Sequence, residues 1–275
     1  MKKPFGSIVV LSIVICLLLG ACEQGTPSLR PFPDQIPVDS YDLQQEYLNA
    51  VMDARVVEPD EISSDLVAVV AYNADLVWEG EPGNSRILVV VWTNKPYYDD
   101  CISENYTLPR SANVWVTAVP ELQDFFNDSG VNTTTLRTEQ LLGLPPHYQC
   151  TKFVELWVEP GDLFRPSPDP EITDCEAELD FSSTSNRFLP FDDNMTIVKY
   201  DYAKGVDKQY TYMEWFNHRK ELVYSGDYPY PWTRLGYTYD WGNPDSDVGL
   251  SEFVILGGSI VGVHSITTND DYLRR

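Results

Sequence analysis

Residues 87–92 read Ile-Leu-Val-Val-Val-Trp, six apolar side chains with no polar face. A strand with one wet face alternates apolar and polar residues, and a strand covered on both faces does not. The run is therefore predicted to lie centrally in a sheet packed on both sides. Upstream, 66–71 (LVAVVA) reads as a second apolar strand, joined to the first through the turn-forming segment 79–85 (EGEPGNS).

Downstream, the chain reads strand, helix, helix, strand. Residues 114–119 (VWVTAV) form the first strand. Pro120 suits a first helical position and Glu121 suits the positive helix start, while Leu122, Phe125 and Phe126 make an apolar stripe that Gly130 stops. Residues 136–142 form a short second helix, ended by Gly143, Pro145 and Pro146, and 153–158 (FVELWV) is the returning strand.

Further out, 41–55 has Leu43, Tyr47, Val51 and Ala54 at helical spacing behind a Ser40 cap. The proline-rich acidic stretch 159–175 reads as a long surface loop. A strand at 196–202 is followed by a helix at 208–222, with Tyr212, Trp215, Phe216 and Arg219 on one side. Strands at 233–241, 250–256 and 259–266 close the chain as a meander, turned at Gly242-Asn243-Pro244 and Gly257-Gly258. Strands this close together leave no room for crossover helices. The predicted fold is a single α+β domain with a mixed, mostly antiparallel sheet and a few short helices.

Composition narrows the function classes. The 275 residues carry 42 acidic and 19 basic side chains, a net charge of −23. Such a surface repels phosphate backbones, which argues against nucleic-acid binding, and it repels anionic lipid headgroups. Hydrophobic content of 43% and aromatic content of 13% fit a globular domain.

The N-terminus has the parts of an export signal. Lys2 and Lys3 precede an apolar run at 8–19 broken only by Ser12, and Gly20 and Ala21 lead into Cys22. A dozen apolar residues make roughly 18 Å of helix, too short for a bilayer core of about 30 Å. The string Leu19-Gly20-Ala21-Cys22 resembles the lipobox of bacterial prolipoproteins, a resemblance confined to residues 1–22. It implies diacylglyceryl transfer to the Cys22 thiol, cleavage before Cys22 and acylation of the new amino group, with palmitate as a typical chain. Two or three chains give stable membrane anchoring where one does not. Residues 1–21 are then the signal peptide. Residues 22–39, with Pro27, Pro31, Pro33 and Pro37, form a tether reaching about 50 Å when extended. Residues 40–275 form the acidic domain. Losing Lys2 and Lys3, and no acid, takes the mature charge to −25. The expected location is extracytoplasmic, at the bacterial cell envelope, with the membrane as a partner through the lipid.

Three cysteines remain in the domain, and outside the cytoplasm a disulfide is plausible. Cys150–Cys175 is the favoured pairing because the two flank one strand-and-loop unit. Between Tyr200 and Trp241 fall nine of the 17 tyrosines and three of the seven tryptophans. Exposed rings there would stack on sugars, and the candidate ligand-binding set is Tyr228, Tyr230, Trp232, Arg234, Asp240 and Trp241. The competing reading is that these rings line a sheet. Asn243, Asp245 and Asp247 alternate like calcium ligands. Counted from Asn243, however, glycine falls seventh and Glu252 tenth, which fails the EF-hand pattern and leaves only a calcium site of another kind. No other cofactor is implied. His147, His218 and His264 make no zinc motif, and G-x-S-x-G, Walker and dinucleotide fingerprints are absent.

The first functional reading is a non-enzymatic binding or interaction domain on a lipid anchor, meeting a glycan or protein ligand at its surface. The second is a carbohydrate-binding or carbohydrate-active protein using 224–241, and the third is an extracytoplasmic hydrolase.

Overall fold

The structure, a computed structural model, describes residues 38–181, 196–201, 204–225 and 229–274. Helix α1 (Val38–Asp53) leads into β1 (Ile87–Thr93), β2 (Asn105–Thr107) and β3 (Val114–Ala118). Helices α2 (Glu121–Ser129) and α3 (Thr135–Leu141) precede β4 (Lys152–Val158) and the short β5 (Leu163–Phe164). Next come β6 (Thr196–Asp201), β7 (Val206–Thr211) and α4 (Tyr212–Ser225). The chain ends with β8 (Tyr237–Tyr239), β9 (Val248–Ser251), β10 (Phe253–Ile255), β11 (Ile260–Thr268) and α5 (Asn269–Tyr272).

Seven strands form one sheet in the order β2-β11-β4-β1-β3-β10-β5, every neighbouring pair antiparallel. The all-apolar β1 is the middle strand, paired with β4 from Ile87↔Val158 to Thr93↔Lys152. This is an α+β fold, and β6–β7 and β8–β9 add two small ladders beside the main sheet.

The period of two sorts β1 between two cores. Ile87 and Val89 join Val116, Ala118, Val154, Leu156, Phe253 and Ile255 under Leu108, Leu163 and Ile172. Leu88, Val90 and Trp92 point the other way, against Leu122, Phe126, Leu141 and Phe153. Along that second face, Val254 meets Trp215, Phe216 and Trp232, with Trp115 packed against them. Full burial of such a side chain is worth about 1.5–3 kcal/mol, so both faces hold β1 in place.

Helix ends follow local chemistry. Thr134 caps α3, its hydroxyl accepting from Arg137 N at 3.1 Å, and Gly130 ends α2 at φ 64°. Pro120 is the N-cap of α2 and not its first residue. Helix α1 begins at Val38, so Ser40 lies inside it.

Four sequence expectations are corrected. Residues 66–71 are not a strand; they run beside 172–175 on only two hydrogen bonds, Leu66 N to Cys175 O and Val69 N to Ile172 O. The stretch 159–175 is not a surface loop: residues 163–170 are buried and β5 is the edge of the main sheet. The segment 206–211, read in part as helix, pairs with β6, and the helix starts at Tyr212. There Thr211 Oγ1 accepts from Glu214 N and the Glu214 carboxylate accepts from Thr211 N, a capping box that marks the boundary. Finally, 250–256 is two strands in two sheets, broken at Glu252.

Candidate functional site

Between the second face of the sheet and α4 lies a cavity of about 450 Å³. Its floor is Val90 and Trp92 of β1 with Trp115 and Thr117 of β3. Its walls are Leu142, Leu144, Pro145 and Tyr148 from the α3–β4 connection, and its roof is Arg219, Leu222 and Val223 of α4 with Pro229 and Tyr230. The lining is mostly apolar with a few polar groups, and the volume is that of a small-ligand site.

The polar groups come from breaks in regular patterns. Residues 215, 219 and 223 recur at helical spacing, so Arg219 falls on the same buried stripe as Trp215 and Val223. Glu252 sits at the break between β9 and β10, its N–H donating to Gly236 O at 2.8 Å. It is 3% exposed. The Tyr230 hydroxyl lies 3.3 Å from Glu252 Oε1 and 3.5 Å from Leu142 O. The Arg219 guanidinium lies over the Trp115 ring, 5.3 Å from its centroid. Trp115 is held edge-on by Trp232 at 5.9 Å, and Trp232 by Phe216 at 4.9 Å.

Burial governs the charges. It pushes the Glu252 carboxyl up to about 8, only partly opposed by the Tyr230 hydrogen bond and by Arg219. At neutral pH the carboxyl is therefore a neutral acid that can donate a hydrogen bond. Burial lowers Arg219, with Tyr230, Glu252 and Tyr148 opposing. Behind the floor, burial and Arg219 bring Lys199 down to about 8. The Asn113 amide, turned so that each atom meets a complementary partner, accepts from Lys199 Nζ at 3.1 Å and from Trp215 Nε1 at 2.9 Å. Two enclosed polar atoms of cavity-lining residues lack any partner among the described residues: Arg219 Nε and Thr117 Oγ1.

Of the aromatic set predicted for ligand binding, Tyr230 lines this cavity. Trp232, Arg234, Asp240 and Trp241 are buried and do not form an exposed stacking surface. Trp232 sits among Trp115, Trp215 and Phe216. Arg234 donates to Ala54 O and Arg55 O. Asp240 accepts both arms of Arg137, at 2.7 and 2.5 Å. Trp241 Nε1 donates to Leu144 O at 2.9 Å. Tyr228 and Cys22 lie outside the described residues.

The three predicted calcium ligands do not converge. Asn243 Oδ1 accepts from Asp245 N at 3.1 Å, an Asx turn. Asp247 groups instead with Asp53 and Glu61, their carboxylate oxygens within 4.8 Å of one another. Asp169, Glu171 and Asp174 form a second such group. The Cys150–Cys175 bridge is not formed. Cys101, Cys150 and Cys175 are free thiols, Cys150 buried with Sγ 3.4 Å from Trp92 O and Cys175 exposed. Burial pushes the Cys150 thiol up to about 12, the character of an inert core cysteine.

Sequence reasoning weighed Glu252 only as a position in a calcium-loop pattern that failed, Trp115 and Thr117 only as strand residues and Arg219 only as a face residue. Two signals were available: a carboxylate inside the apolar run 250–256, and an arginine on an aromatic helix stripe. No protein-family model, curated protein or solved structure matches this chain.

Proposed function

We propose that this chain is a lipid-anchored lipoprotein of the bacterial cell envelope whose α+β domain is a non-enzymatic binding domain, taking a small and largely apolar ligand into the cavity beneath α4. The observation that carries the binding reading is the cavity itself: about 450 Å³ between sheet and helix, into which Glu252, Tyr230 and Arg219 converge from three separate elements. The lipobox-like Leu19-Gly20-Ala21-Cys22 and the proline-rich tether support export and anchoring. Among the described residues no helix is long and apolar enough to cross a membrane, so anchoring on this reading falls to the lipid on Cys22. The burial of Trp232 and Trp241 takes support from sugar stacking at 224–241.

A polarity-sensitive naphthylamine dye tests the binding reading. Dye fluorescence should rise on binding, and Val90→Trp, which fills the floor, should abolish the rise while leaving the unfolding transition cooperative. An unchanged signal in Val90→Trp would refute it. Anchoring is tested separately. Cys22→Ser should accumulate precursor and lose acyl labelling, and normal processing of that variant would exclude the lipoprotein reading.

A further inference from the structure

We infer that the ligand of this cavity is an amphipathic carboxylate, its anionic head taken by Arg219 and Tyr230 and its apolar body lying along Leu122, Leu142 and Leu144. The inference rests on the binding reading above and adds the chemical class of the ligand.

The case starts from how this protein treats its other enclosed arginines. Arg137 makes a two-armed ion pair with Asp240. Arg165 reaches Asp174 Oδ1 and three backbone carbonyls. Arg234 reaches two carbonyls at the end of α1. Arg219 has no hydrogen bond and no ion pair among the described residues; its Nε is sealed and unpartnered, as Nε is in Arg165 and Arg234, but unlike theirs its guanidinium finds no acceptor through its other nitrogens either. Its guanidinium lies over the face of Trp115, and the residue lines the cavity.

A partly buried cation without an anion loses solvation that nothing replaces, and a protein with a net charge of −23 has many carboxylates to offer. The nearest one does not take the role. Glu252 is within hydrogen-bond distance of Tyr230 and makes no ion pair with Arg219. Its burial favours the protonated acid, so the cavity presents donors, not a competing anion. The guanidinium fork matches a carboxylate with two parallel hydrogen bonds, which a hydroxyl or amine cannot reproduce. Thr117 Oγ1 lacks a partner as well and adds a donor on the floor. The rest of the lining is mostly hydrocarbon and aromatic, with Thr93, Lys95, Asn113 and Thr238 as its other polar residues, which favours an apolar body over a sugar or an amino acid.

The test compares three water-soluble molecules sharing one body: 4-phenylbutyrate, 4-phenylbutan-1-ol and 4-phenylbutylamine. Each is titrated calorimetrically into the full lipidated protein in neutral liposomes, with empty liposomes subtracted. The carboxylate should bind at least about ten-fold tighter than the alcohol, with the amine weakest. Arg219→Met should erase that preference while leaving the alcohol's affinity within about two-fold, and Arg219→Lys should retain part of it. The unchanged alcohol affinity shows that Arg219→Met still folds and keeps its cavity. Equal binding of acid and alcohol, or a preference that survives Arg219→Met, overturns the carboxylate inference and leaves the binding reading standing. Failure of all three to bind overturns both.

Discussion

Arg165 and Arg219 are two enclosed arginines in one domain, and they are treated in opposite ways. Arg165 is fully buried at the sheet edge, where its two Nη atoms donate to Asp174 Oδ1, Asp174 O, Glu176 O and Val67 O at 2.7–3.3 Å. It fastens residues 172–176 and the 66–71 segment to the core. The backbone accommodates it closely: a Cβ on Gly236 would stand 2.4 Å from Arg165 Cδ, and Gly236 holds φ +76°. Arg219 faces an apolar cavity with an aromatic ring beside it and no acceptor. The same side chain is clasped through both Nη atoms in one place and has no acceptor in the other, while Nε is unpartnered in both. Acceptors supplied by the chain mark structure, and acceptors left out mark a place for something else.

The largest expected effect separates the two directly. Arg165→Met strands three carbonyls, unpairs the half-exposed Asp174 carboxylate and should cost about 3–5 kcal/mol in urea unfolding. Arg219→Met removes an uncompensated cation and should change stability by no more than about 1 kcal/mol, in either direction. Equal losses in the two variants would erase the distinction.

Acid–base behaviour sharpens it next. The Glu252 carboxyl is raised in the folded state to about 8 from 4.5, and Glu121, whose Oε1 accepts from Ser251 N, is raised by burial to about 7. The folded protein thus holds both protons more tightly than the unfolded chain. The stability they contribute is fully present below about pH 4.5 and is lost as pH rises through 7 and 8. The loss from Glu252 is on the order of a few kcal/mol. Melting temperature should fall across pH 5–8, and Glu252→Gln should remove the largest part of the fall and Glu121→Gln a further part, the rest coming from Glu61, Glu139, Asp162, Asp169 and Asp247, which burial also raises. A wild-type protein with a flat profile there would show Glu252 to be ionised and paired after all.

Tyr230→Phe is a smaller perturbation, about 0.5–1.5 kcal/mol for a lost hydrogen bond. Because that bond holds the Glu252 value down, the variant should extend the pH-dependent fall to higher pH.

The smallest expected effect concerns the cysteine inside the Arg165 clasp. Cys175 is exposed between Asp174 and Glu176, while Cys150 is buried against Trp92 O. In unreduced protein, Cys175 should react with a thiol reagent without loss of stability, and Cys150 should react only after unfolding. Failure of both to react in denaturant would mean that they are bridged.

Much of the fold was legible along the chain. The unbroken run 87–92 named the central strand, because a side chain covered on both faces leaves no place for a polar residue. The unit from β3 through α2 and α3 to β4 was legible because its stops, Gly130 and the Gly143-Leu144-Pro145-Pro146 run, act within a turn of where they stand. Residues 66–71 and 206–211 were misread because an extended or helical segment becomes a strand or not according to which edge it meets. The acidic, proline-rich 159–175 looked solvated, yet Arg165 and the sheet edge bury its middle, 163–170.

The candidate site divides the same way. Sequence alone determined the strongly acidic composition, the apolar central strand, the α+β class and a lipobox-like N-terminus, since each is set by local residue order. Only the tertiary structure decided that Trp232 and Trp241 are core and that Asp240 serves Arg137. It alone brought Glu252, Tyr230, Arg219 and Thr117 from four separate elements to one cavity. Whether a polar group is satisfied depends on the partners that folding carries to it, and those partners here stand tens of residues away in sequence.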